Sequence, residues 1–60
     1  MILEHIRRLC AERGITIKAL ETATHMGNGV IARWDEMRPR VDKLKAVADY
    51  FGVTVDELLS

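Results

Sequence analysis

The stretch Thr16–Trp34, TIKALETATHMGNGVIARW, decides the fold. Thr16 carries a hydroxyl that can take a free N–H of a first helical turn, which makes it a natural N-cap. Ile15 and Leu20 fall at N′ and N4, the two positions of a hydrophobic staple. The capping box is incomplete, because N3 is Ala19 rather than Glu or Gln. Leu20 and Ala23 give an inward stripe at i, i+3 spacing, and the helix is expected to stop near Thr24. His25, Met26 and Gly27 then form the turn, with Met26 as its apolar anchor. Gly27 or Asn28 caps a further helix whose buried face is Ile31 and Trp34. That phase leaves Asn28, Gly29, Ala32 and Arg33 pointing outward, with Val30 at the border. Asn28-Gly29 is also a strong β-hairpin dipeptide, but a hairpin needs alternating strands on both sides and these flanks have helical spacing.

Two short helices joined by a tight turn, the second lightly charged and preceded by small residues, have the shape of a helix-turn-helix whose second helix enters a groove. The sequence therefore predicts one domain over residues 1–60, with the helix-turn-helix at approximately 16–36. The rest reads as scaffold. A first helix is expected over Ile2–Arg13, with Ile2, Ile6, Leu9 and Cys10 on one face and Leu3 at its edge. Arg13 suits the negative end of the helix dipole, and Gly14 is a natural residue just past the end. Glu36–Arg40 is a connection, because Pro39 disfavours helix in the residue before it. A fourth helix begins near Val41, with Val41, Leu44, Val47, Ala48 and Phe51 inward, Arg40 as a poor cap and Gly52 as its end. A fifth has the cleanest start, since Thr54-Val55-Asp56-Glu57 is a capping box and Val53 with Leu58 completes a staple.

Length and charge bound what such a domain can do. A 60-residue chain is at most one domain and buries only about 60% of its unfolded surface. Cys10 is the single cysteine, so there is no disulfide framework, and a lone thiol on an apolar stripe fits a reducing cytoplasm. No apolar run approaches the roughly 20 residues of a membrane span. Met1 leads straight into a helical pattern with no signal peptide. Net charge is +0, yet residues 13–45 carry seven bases against four acids, while residues 46–60 carry three acids and no base. The centre is positive and the C-terminal part negative, which would orient the domain weakly on DNA.

Three runs carry a family resemblance: ERGIT leading into the second helix, VIARW in the third, and VDKLKAVADYFGVTVDELL at the end. With them the chain resembles the Cro/cI-type (XRE-type) helix-turn-helix regulators of phages and bacteria, from Ile2 to Leu59. The resemblance implies an all-α, compact five-helix lambda-repressor-like DNA-binding domain, whose third helix enters the major groove and which binds its operator as a dimer. Three positions depart from the family pattern. Ile17 stands where a phosphate-binding Gln is frequent, Thr24-His25 replaces a Leu-Gly pair, and the link before the fourth helix is short.

Base contacts are accordingly expected from Asn28, Gly29, Val30, Ala32 and Arg33. Arg can pair bidentately with guanine O6 and N7, Asn with adenine N6 and N7, and the small apolar side chains can meet a thymine methyl. Phosphate contacts are expected from Thr16, Lys18, Arg38, Arg40 and Lys43. The bland reading of each is a solvated surface group, and Arg33 can also pair with Asp35 or Glu36. Trp34 is expected in the core rather than as a stacking platform. His5, His25 and Cys10 are too scattered for a zinc site, and no nucleophile–base arrangement stands out, so neither metal, cofactor, small-molecule ligand nor enzymatic activity is expected. The expected function is a DNA-binding transcriptional regulator, a repressor, in the cytoplasm, with double-stranded DNA as partner. A weak homodimer is expected, and Leu58 and Leu59 either close the core or offer its contact. The competing reading is a divergent helix-turn-helix fold that has lost DNA and serves as a protein-interaction module.

Overall fold

A computed structural model describes residues 2–60 of the chain, and Met1 lies outside the described residues. Helix α1 spans Ile2–Arg13, as its periodicity predicts. Its buried line is Leu3, Ile6 and Cys10, with Ile2 and Leu9 only partly covered. The inward face is thus turned from the expected one, and Leu3 is central rather than marginal. Both α2 and α4 pack on α1, so its apolar stripe is centred by two neighbours rather than by the sequence pattern alone. Burial pushes the Cys10 thiol above its ordinary value.

Helix α2 spans Ile17–Ala23, and Thr16 caps it by accepting the Ala19 N–H at 3.0 Å. Its inward face corrects the expected one. Leu20 is fully buried, but Ala23 is exposed, and Glu21 is buried in its place. Ile17, Leu20, Glu21 and Thr24 follow i, i+3, i+4, i+7 spacing, an amphipathic stripe in which two members are polar. Three helices end in the same way. The N–H groups of Ile15, Met26 and Val53 reach back to the carbonyls of Cys10, Glu21 and Ala48 at 2.8–3.0 Å. The residues before them, Gly14, His25 and Gly52, have φ of +70°, +59° and +72°. This is the Schellman arrangement, and two of its three left-handed positions hold the expected glycine.

Between α2 and the next α-helix lies the principal correction. The expected third helix, with a Gly27 or Asn28 cap, is a single 3₁₀ turn, Ile31–Arg33. Its cap position is Val30, which makes no side-chain capping bond. Helix α3 then spans Val41–Phe51 and buries Leu44, Val47, Ala48 and Phe51. Val41, expected inward, is 75% exposed. It is the first helical residue, and it stands on the wall of a surface groove rather than over the core. Arg40 caps α3 without a side-chain bond. Helix α4, Val55–Leu59, opens with the complete capping box of Thr54 and Glu57.

One cluster of buried side chains, drawn from all four α-helices and the 3₁₀ turn, forms the core. Two polar ties close it. His5 donates its Nδ1–H to the Leu58 carbonyl at 3.1 Å. Arg13 donates Nη2–H to the Phe51 carbonyl at 2.8 Å, with its guanidinium 5.4 Å from the Phe51 ring centre. The second tie satisfies a carbonyl at the end of α3 that has no partner within the helix. Among the described residues there is no strand, and no helix is long and apolar enough to cross a membrane.

Candidate nucleic-acid interface

The segment Gly27–Met37 is a chain of tight turns. Val30 donates to the Gly27 carbonyl at 3.2 Å, Arg33 to Val30 at 3.4 Å, Trp34 to Ile31 at 3.0 Å and Glu36 to Arg33 at 3.0 Å. All four bonds close i→i−3 rings; the first is a β-turn around Asn28-Gly29, and the others have the spacing of 3₁₀ turns. Gly29 has φ +84°, a left-handed conformation that interrupts any right-handed helix starting at Gly27. Ile31 and Trp34 are nonetheless both buried, as their spacing predicts. Residues three apart share an edge in a 3₁₀ turn even more closely than in an α-helix, so the face is preserved although the helix type is not.

What holds this segment against α2 is Glu21. The residue is 4% exposed. Oε1 accepts the Gly29 N–H at 3.1 Å and Oε2 accepts the Ile31 N–H at 2.9 Å. Sequence reasoning missed this residue. The signal was there, since Glu21 is flanked by Leu20, sits four residues after Ile17 on the inward stripe, and precedes a glycine-rich segment with no cap of its own. Buried carboxylates need hydrogen-bonding partners, and backbone N–H groups without partners at a short helical turn supply them.

Around this clamp the expected site residues fall into distinct places. Asn28, Ala32 and Arg33 are exposed, while Gly29 and Val30 are half-buried. Val30 packs against the core, which is the border position expected for it. Thr16 and Lys18 are exposed at the start of α2, the helix that packs on the 3₁₀ turn. The Thr16 oxygen already accepts the Ala19 N–H, which leaves its O–H free to donate. Arg40 is exposed and lies 3.4 Å from Asp42. Lys43 is half-buried. Arg38 lines an apolar groove with Ile2, Met37, Val41 and Leu59, beside Asp35 and Glu36. Of the two readings of Leu58, core closure holds: it is fully buried as the inward anchor of α4 and cannot be a contact between copies. Leu59 is 52% exposed.

A capped helix, a tight left-handed turn and a short helical segment packed back against that helix, within an all-α scaffold, define a helix-turn-helix domain. The family model of the Cro/C1-type HTH DNA-binding domain matches residues 5–60. The chain belongs to that family, and DNA binding is the activity the family carries. A search of the curated proteins and of the solved structures finds no match.

Proposed function

We propose that the protein is a sequence-specific transcriptional regulator, a repressor acting in the cytoplasm, that reads the major groove with the segment Gly27–Arg33. The observation that carries this reading is the two-sidedness of the segment. Ile31 and Trp34 are locked into the core, while Asn28, Ala32 and Arg33 face solvent from the same few residues. Asn28 and Arg33 supply the two side-chain types that pair bidentately with adenine and guanine, and Gly29, Val30 and Ala32 allow close approach. Thr16, Lys18, Arg38, Arg40 and Lys43 take phosphates and set the register. A homodimer would use Leu59 and the groove around it, with half-sites about 34–36 Å apart. That same groove favours the second reading, a protein-interaction module, because Met37, Val41 and Leu59 leave apolar surface uncovered.

Selection of bound sites from random duplexes tests the proposal. It should return one motif, two-fold symmetric if the protein dimerises. Unenriched sequences, together with no binding to any duplex at low salt, would shift the reading to the groove.

A further inference from the structure

We infer that Glu21 is the positioning residue of DNA readout. Its buried carboxylate caps the reading segment from the preceding helix and fixes the register of Asn28 and Arg33; this rests on the DNA-reading role proposed above. The segment does not cap itself, since Val30 at the cap position makes no side-chain bond. No crowding around Gly29 dictates a glycine there. A Cβ placed there would meet nothing within 4 Å. Its left-handed backbone is fixed by the N–H···Oε1 bond instead. The second oxygen holds Ile31, so one planar carboxylate grips the N–H groups of the two residues on either side of Val30. Asn28 immediately precedes the first gripped residue, and Ala32 and Arg33 immediately follow the second. With both oxygens engaged, the position and the rotation of the carboxylate are both set. Among the described residues Glu21 forms no ion pair, so the two amides are what keep its charge in the interior. The Gly29 bond also occupies an N–H group, in a half-buried position, that could otherwise meet a phosphate. Anchoring to the backbone therefore falls to side chains such as Lys18 and Arg40.

The test compares wild type with Glu21→Gln on a selected duplex and on a scrambled one, with amide hydrogen exchange read residue by residue. A Gln keeps one acceptor oxygen and turns an NH2 group toward an N–H that cannot accept from it. Exchange at Gly29 or Ile31 should accelerate while the helices stay protected. Affinity for the selected duplex should fall about tenfold, and affinity for the scrambled duplex should stay within about twofold. Simple electrostatics makes the opposite demand, since removing a negative charge beside DNA would tighten binding to both duplexes. Tighter or unchanged binding overturns the inference, and so does an equal loss on both. A variant that fails to fold would make Glu21 a general stability residue and would overturn the inference as well. The wild type gives a second readout that needs no variant. The Gly29 and Ile31 amides should be protected in the free protein and keep their chemical shifts on binding, while those of Asn28 and Arg33 move. Fast exchange at both amides in the free protein contradicts the clamp. If wild type itself shows no preference between the duplexes, the DNA-reading role fails and the inference with it, whereas a Gln variant matching a discriminating wild type removes the inference alone.

Discussion

Ile31 donates its buried N–H to Glu21 at 2.9 Å, across ten residues of chain, and this bond joins the two halves of the helix-turn-helix. Glu21→Ala removes it and the Gly29 bond together. Each N–H left without a partner costs about 1–3 kcal/mol, with the larger cost at Ile31, which is cut off from water. A chain of this length has only about 3–9 kcal/mol of stability in all. Chemical denaturation should therefore show a large fall in midpoint for the Ala variant and a smaller one for Glu21→Gln. A change within about 0.5 kcal/mol for Ala, the range of an ordinary surface substitution, would contradict the bonding described.

His25 occupies the left-handed position that ends α2, at φ +59°. Glycine holds the equivalent position after α1 and after α3. A side chain in this conformation costs about 1–2 kcal/mol, part of which glycine gives back through the freedom of its unfolded chain. His25→Gly should raise stability by up to about 1 kcal/mol, and His25→Val should lower it, because a β-branched side chain tolerates this backbone poorly. Thermal melts of the two variants check the order.

The capping box of α4 makes stability depend on pH. The Thr54 backbone N–H and side chain hold the Glu57 carboxyl below its ordinary 4.5. A depressed folded value means that the unfolded chain takes up protons first. The contribution is therefore fully present above the ordinary value and is lost as pH falls through the folded one. Glu57→Gln keeps an acceptor oxygen but does not titrate in this range. Between about pH 6 and about pH 3, the melting temperature of wild type should fall further than that of the Gln variant. Parallel curves would show that the bond does not depend on the charge.

The helix ends and the core of this domain were legible in the sequence because local rules govern them. Thr16, Gly14, Gly52 and the Thr54–Glu57 box each act within a few residues of chain, and the structure bears each of them out. Ile31 and Trp34 were placed in the core because their spacing serves a 3₁₀ turn as well as an α-helix. What spacing could not give was the helix type itself, because Gly29 adopts a left-handed φ that its sequence permits but does not require. Glu21 escaped notice for a related reason. An apolar pattern passes over a carboxylate, and its partners lie eight and ten residues away in a loop. Leu3 and Val41 show the same limit in the core. Neighbouring elements decide which part of an apolar stripe is covered.

The division of labour between reading and holding is the centre of this account. It is tested most directly by titrating wild type, Arg33→Ala and Arg40→Ala against the selected and the scrambled duplex across a salt series. Both side chains are exposed, so neither change should disturb the fold. Arg33→Ala should weaken the selected duplex by about 1–3 kcal/mol, with little loss on the scrambled one, and should relax preference at one base pair per half-site. Arg40→Ala should weaken both alike and reduce the salt slope by about one unit. An Arg33→Ala variant that loses affinity equally on both duplexes, or on neither, would contradict the assignment of the Gly27–Arg33 segment as the reader.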